Sequence, residues 1–254
     1  MKLIQFSDIH LTTEPEVIYG RDPNVNFPLG LKHCMQFHSD AAGFFISGDL
    51  TEHGEVENYE KLEKHLASLD MPVGLTLGNH DVRENFAKVF PDRIDDCGFA
   101  QAVVPLPKGA AIMIDTLTTG SHYGSLCEKR ARWLENALKQ NKGPLFLFMH
   151  HHPLPTHLPR MDTHMFRDGK RFAEVLTPHK QKIAHIFFGH IHIPMAGSFC
   201  GIPASSTRGP NQNGWPNHAD GKVDRGSDVL QAYTVIFADD PSITVQMVEF
   251  GLEI

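Results

Sequence analysis

The stretch Gly43–Asp81, GFFISGDLTEHGEVENYEKLEKHLASLDMPVGLTLGNHD, decides how the rest of the chain is read. It opens on a short apolar run, Gly43–Ser47, that breaks at once into the polar loop GDLTEHG. Glu55–Leu69 then places Val56, Tyr59, Leu62, Leu66 and Leu69 at three- and four-residue spacing. That spacing predicts a helix with one apolar face. A second apolar run, Val73–Leu77, ends in GNHD. Short apolar runs bounded by glycine and polar residues read as buried strands, so the stretch is strand, helix, strand. It predicts an α/β architecture.

Working outward, the same grammar recurs. KLIQFS (Lys2–Ser7) precedes DIH, PLFLFM (Pro144–Met149) precedes HHHP, and HIFF (His185–Phe188) precedes GHIH. Glu128–Asn141 repeats the helical spacing with Ala131, Leu134 and Leu138, and Lys142-Gly143-Pro144 stops it. Asn24–His38 is a less regular helix candidate. The last third changes character. Pro194–Gly201, Asp228–Phe237 and Ser242–Phe250 read as strands without intervening helices, the last two joined by a turn at Asp239–Ser242. Ile202–Gly226, rich in Gly, Pro, Asn and Ser, reads as a long loop or small insertion, a candidate lid or dimer contact. No repeat or linker divides the chain, so residues 1–254 are expected to form one domain.

Composition narrows the class. With 254 residues, 41% of them hydrophobic and 21% charged, the chain can bury a sizeable core. A net charge of −7 argues against a nucleic-acid partner, which calls for a basic excess. No apolar run approaches the roughly 18 residues of a membrane span. Cys34, Cys97, Cys127 and Cys200 show no CxxC spacing and read as reduced thiols. The apolar run at the N-terminus is too short for a signal peptide, so a cytoplasmic location is expected. The 17 histidines are the anomaly, and His150, His151 and His152 are internal, so they are no tag.

In open α/β sheets, functional groups collect beyond the carboxyl ends of the strands. Here those ends carry Asp8 and His10; Asp49; Asn79, His80 and Asp81; the His150 cluster; and His190 and His192. Each pair alone has a bland reading. The Gly-Asp and GNHD stretches can be turns, and His190 and His192 can share one strand face. Chance would have to place such residues after five separate apolar runs, and the order and completeness carry the inference. The set offers Asp, Asn and His without thiolate, which suits Mn, Fe, Zn or Co and not a structural cysteine zinc site. Seven candidate ligands are too many for one ion and fit two, with one carboxylate bridging. Two ions roughly 3.5–4 Å apart clamp the attacking and leaving oxygens of an in-line displacement, which is phosphoester chemistry.

The ordered motifs D-x-H, G-D, G-N-H-D, H and G-H-x-H, from Asp8 to His192, resemble those of the calcineurin-like metallophosphoesterases. SDIH, LGNHD, FMHHHPLP and the stretch from Ile46 to Val73 are similar to the small bacterial phosphodiesterases of that superfamily, the glycerophosphodiesterases and class III cyclic nucleotide phosphodiesterases. The resemblance implies a four-layer α/β/β/α sandwich around two sheets. It implies two divalent or mixed-valence metal ions, the first on Asp8, His10 and His192, the second on Asn79, His150 and His190, with Asp49 bridging. A water between the ions would be the nucleophile. His80 would not be a ligand but would stabilise or protonate the leaving oxygen, and Asp81 would orient His80 or cap the next helix. Asn79, His80, His151 and His192 would meet the substrate. His150 is favoured over His151 because FMHHHPLP aligns without a gap to the family's Met-His-His-Pro-Pro form; a slip of one residue would make His151 the ligand.

The activity so implied is hydrolysis of a small phosphodiester, a 3′,5′-cyclic nucleotide or a glycerophosphodiester. A phosphomonoesterase or nuclease of the same chemistry is the alternative, and a non-catalytic scaffold on the same fold is the alternative of a different class. A scaffold would be expected to have lost ligands, and here every motif position is filled. Tyr19–Asp22, His157–Asp168 and Asn211–His218 are the loops expected to choose the substrate, with Arg21, His122 and Trp215 as individual candidates. A homo-oligomer is compatible with the sequence.

Overall fold

The computed structural model describes residues 1–226 and 229–251. Its first half runs β1 (Lys2–Phe6), α1 (Pro23–His38), β2 (Phe44–Ser47), α2 (Val56–Leu66), β3 (Val73–Thr76) and α3 (Arg83–Val89). The second half adds β4 (Ala102–Pro105), β5 (Ala110–Ile114), α4 (Glu128–Gln140), β6 (Leu145–Met149), α5 (Pro159–Asp162), α6 (Gly169–Leu176) and β7 (Ile183–Phe188). It closes with β8 (Ala196–Phe199), β9 (Ile202–Ser206), β10 (Asn213–Asn217), β11 (Lys222–Gly226), β12 (Gln231–Asp239) and β13 (Ser242–Phe250).

The strands form two main sheets. One has the order β13-β12-β1-β2-β3 and the other β4-β5-β6-β7-β9-β8, while β10 and β11 make a separate hairpin. The ligand-bearing strands β1, β2 and β3 are mutually parallel in the first sheet. β6 and β7 are parallel in the second. Strand alternation sorts their side chains into layers. Ile4, Phe6, Phe44 and Ile46 pack with Phe27 of α1, Tyr59 and Leu62 of α2 and Phe86 of α3. Leu145, Leu147, Ile186 and Phe188 pack with Leu134 of α4 and Phe172 of α6. The alternate residues Leu3, Phe45, Met113, Phe146, Phe148 and Phe187 meet between the sheets, where Phe45 stacks on Phe148 with centroids 4.4 Å apart. The result is an α/β/β/α sandwich. Both faces of these strands are buried, which is why they read as unbroken apolar runs.

One expectation is corrected. Ile202–Gly226 is not a single loop insertion: Ile202–Ser206 is β9, parallel to β7 inside the second sheet, residues 207–212 link it onward, and Asn213–Gly226 forms the β10–β11 hairpin. Its small polar residues hid the strand, since Ser205 is buried against His185 (Oγ to Nε2 2.8 Å) and Ser206 against the backbone of Ile193. Asp228, expected to begin a strand, lies outside the described residues. The hairpin β4–β5 has no counterpart in the sequence reading, although β5 sits beside β6 in the second sheet.

At the end of β5, Asp115 is fully buried but stays out of the histidine cluster. It accepts two bonds from the Arg83 guanidinium at 2.9 Å, lies 3.3 Å from Arg130 Nη1, and accepts from the backbone N–H of Ala100 and Leu117. Asp115→Ala would leave two guanidiniums without their carboxylate. A loss of about 3 kcal/mol is expected in urea unfolding, and a loss under about 1 kcal/mol would show that solvent compensates.

Candidate metal centre

The five motif segments leave their strands at the same end of the sandwich, three from one sheet and two from the other. Asp8, His10, Asp49, His190 and His192 have φ between 48° and 72°, in the left-handed region that costs a non-glycine residue roughly 1–3 kcal/mol. That backbone turns each side chain inward directly after its strand. The motif glycines are required by space. A methyl at Gly78 would fall on Asp49 Oδ1 and lie 2.7 Å from His150 Nε2, and one at Gly189 would fall on Ser7 Oγ and lie 2.6 Å from Asp8 Oδ2.

The side chains gather into adjoining clusters. Asp8, His10, Asp49 and His192, all buried, present ligand atoms within 4.8 Å of one another, as do His150, His151 and His190. His192 Nε2 lies 3.3 Å from Asp8 Oδ1. Asp49 Oδ2 stands between the clusters, 3.7 Å from His10 Nε2 and 3.3 Å from His150 Nε2. His150 Nε2 is also 3.2 Å from Asn79 Oδ1 and 3.2 Å from His190 Nδ1. His151 instead turns Nδ1 to Thr116 Oγ1 at 2.8 Å. His152 packs parallel to His190, with centroids 5.4 Å apart.

Carbonyl oxygens fix several rings, because they only accept. His150 Nδ1 donates to Ser47 O, His192 Nδ1 to Gln212 O and His80 Nδ1 to Glu52 O, at 2.8, 2.8 and 2.9 Å. Each therefore turns Nε2 to the centre, the arrangement of metal-ligating histidines, whose second nitrogen is held by the protein. Buried atoms His10 Nε2, His151 Nε2 and His190 Nε2 find no hydrogen-bond partner among the described residues. Buried polar atoms left without partners are costly, so this donor set fits bound cations.

The electrostatics point the same way. Burial opposes a charge on His150, yet Asp49 and Asp8 outweigh it and raise its pKa to about 9. Burial also works against the Asp49 carboxylate, but His150 and His80 hold its pKa well below the usual range. For Asp8 burial prevails over His150 and raises the pKa. For His190 and His192 burial dominates and keeps the rings neutral, the form that binds metal. His80 belongs to neither of these two clusters but forms a third group with His10 and Glu52, whose ligand atoms also lie within 4.8 Å of one another. Its backbone N–H donates to Asp49 Oδ1 at 2.9 Å, and its ring meets His10 edge-on. Burial lowers its pKa, but Asp49 and Glu52 outweigh that and raise it.

Glu52 escaped the sequence reading. Its Oε2 lies 2.7 Å from His10 Nδ1 and its carbonyl holds His80. The signal was present, a carboxylate in the same GDLTEHG loop as Asp49. Asp81 proves to do neither of the things expected of it. It accepts from the backbone N–H of Leu50, Thr51 and Gly78 and from Tyr59 Oη, and so ties the Asp49 loop to the Asn79 loop. Burial, helped by Asp49, raises its pKa to about 6. Among the loop candidates, His122 Nδ1 lies 3.4 Å from Asn79 Nδ2, and the His164 ring lies between those of His122 and His190, tilted to the first and edge-on to the second. Arg21 donates to Asn211 O at 3.0 Å, joining two of the three loops. Trp215 is 44% exposed.

No described helix is long and apolar enough to cross a membrane, and all four cysteines are free.

Similarity to known proteins agrees with this geometry. The chain is 37% identical over 214 residues, 82% of its length and 78% of the relative's, to a probable cyclic nucleotide phosphodiesterase of Rhodopseudomonas palustris. It is 29% identical to a probable glycerophosphodiester phosphodiesterase of Arcobacter nitrofigilis, over 76% of this chain and 72% of that one. The fold matches purple acid phosphatase from yellow lupin with a TM-score of 0.61 at 10% identity, covering 98% of this chain and 51% of that one. The family model described as calcineurin-like phosphoesterase matches residues 1–194, the span that contains every motif named above. With its motif residues gathered at one end of the sandwich, the chain belongs to the calcineurin-like phosphoesterase family.

Proposed function

We propose that the protein is a two-metal phosphodiesterase for a small diester, a 3′,5′-cyclic nucleotide or a glycerophosphodiester. The observation that carries the reading is Asp49, whose Oδ2 lies within 3.7 Å of a histidine from each cluster. In this reading Asp8, His10 and His192 hold one ion, Asn79, His150 and His190 hold the other, and Asp49 is shared. When bound, the pair supplies Lewis acidity that activates a water and neutralises charge on the phosphoryl oxygens. The chain does the rest. Gly78 and Gly189 leave room for the ligands, the carbonyls of Ser47 and Gln212 orient two rings, and Glu52 holds both His10 and His80. His80 presents Nε2, with a pKa raised by Asp49 and Glu52 against burial, to hold a proton for the departing oxygen. The names of the two relatives support both diesters and do not rank them. The net charge of −7 favours a small substrate over a long nucleic acid.

The test is hydrolysis of 3′,5′-cyclic AMP and of a glycerophosphodiester at matched concentrations by the manganese-loaded protein, with metal content measured alongside. Hydrolysis of neither, with metal bound, would reject the reading in favour of a phosphomonoesterase or a nuclease. A protein that takes up no divalent metal would return the scaffold. His150→Ala is expected to lower metal content toward one ion per chain, whereas His151→Ala keeps both and weakens substrate binding. The reverse order would assign the ligand role to His151.

A further inference from the structure

The β10–β11 hairpin is sewn to the metal centre at His192. His192 Nδ1 donates to Gln212 O, and Gly214 N donates back to His192 O at 3.2 Å. Directly across the hairpin from Gly214 stands Arg225. Alternation places Arg225 on the same face as Val223, which packs against the second core. Trp215 and its cross-strand neighbour Asp224 occupy the opposite face. Arg225 is thus carried on the inward side of the hairpin, beside His192, and its charge reaches two rings of the site. Burial is the main cause of the lowered pKa of both His192 and His164; Arg225 follows it for His192, and follows burial and His122 for His164.

Arg225 is half-buried, and its guanidinium makes no hydrogen bond or ion pair among the described residues. Other arginines are committed: Arg83 and Arg130 to Asp115, Arg208 to Glu249, and Arg167 over the Tyr123 ring. A guanidinium that no carboxylate of the described residues engages is available to an anionic ligand. The protein's own carboxylates at the centre, Asp8, Asp49 and Glu52, are occupied with histidines. A phosphoryl group is the anion whose geometry a guanidinium fork matches.

We propose that Arg225 is a substrate-binding residue, its guanidinium taking a non-bridging phosphoryl oxygen from the His192 side. The hairpin then serves to position the substrate, with the leaving group toward His80. The inference rests on the phosphodiesterase reading only for the ligand's being a phosphoryl group.

Inorganic phosphate is the probe, titrated calorimetrically into the manganese-loaded protein, with metal content measured for each variant. Arg225→Ala is expected to weaken phosphate binding roughly 10- to 100-fold with metal content unchanged. Asp224→Asn, on the other face of the same hairpin, is expected to leave the affinity as it is. Should Arg225→Ala fail to fold or lose metal, Arg225→Met, which keeps the aliphatic stem, is judged by the same criterion. Wild-type affinity in the arginine variant would overturn the assignment. So would an equal loss in Asp224→Asn, which would make the effect the hairpin's and not the guanidinium's, and so would a wild-type protein that binds no phosphate. Diester hydrolysis by the wild type is scored separately. Arg225-dependent phosphate binding without any diester hydrolysis would sink the phosphodiesterase reading and leave Arg225 in place; hydrolysis with phosphate affinity indifferent to Arg225 would do the reverse.

Discussion

Asp49→Ala is expected to remove metal from both positions and to lower the hydrolysis rate at least about a thousandfold. Among the described residues its carboxylate is the only one within 4 Å of histidine ring nitrogens from both clusters. It also opposes burial in keeping His150 and His80 positively biased, and its Oδ1 receives the His80 backbone N–H. Removing it therefore costs a shared ligand and loosens the residue held for the leaving group in the same step. Asp49→Asn separates the two, because the amide keeps the shape and an acceptor oxygen but loses the charge. Metal analysis after dialysis against manganese decides the matter. An Asp49→Ala protein that retains two ions per chain would show that no bridging carboxylate is needed at this position.

His80→Ala is expected to behave differently: metal content intact, kcat down by about 10²–10⁴. The ring stands beside the clusters, and its Nδ1 is spent on the Glu52 carbonyl. Only Nε2 is left for chemistry, and the ring is partly exposed, as a group that meets substrate must be. The loss should shrink for a diester of p-nitrophenol, since a leaving group that is stable as an anion needs little help from a proton donor. Equal losses with nitrophenyl and alkyl leaving groups would assign His80 to positioning the phosphoryl group instead. A variant that folds but holds no metal would make His80 a ligand.

The βαβ unit at Gly43–Asp81 was legible because its two apolar runs are buried on both faces and its helix on one. Those burial modes leave opposite signatures, unbroken and periodic, in the sequence. Helix α2 keeps the expected apolar face, with Tyr59, Leu62 and Leu66 buried, though it stops at Leu66 where Leu69 was expected. Leu69 still packs against the core from beyond the helix end. β9 was illegible for the converse reason. IPASS carries little apolar surface, and its strand conformation comes from its neighbours β7 and β8. Asp115 and Arg130 were equally silent. A buried ion pair between the end of β5 and α4 leaves no local pattern, because each partner is defined only by the other.

The sequence by itself determined the chemistry of this protein: which strands end in donors, that the donors are oxygen and nitrogen without thiolate, and that motif glycines precede Asp49, Asn79 and His190. Those are properties of short segments, and short segments keep them wherever they are placed. The tertiary structure alone decided how the donors combine. It takes two facing sheets, with β2 in one and β6 in the other, to bring Asp49 to His150. It takes the Ser47 carbonyl of one sheet to turn the His150 ring toward Asp49 and Asn79 while its neighbour His151 turns to Thr116. Adjacent residues leaving a strand point in different directions, so which histidine meets Asp49 depends on what stands opposite, and that is a fact of packing between sheets.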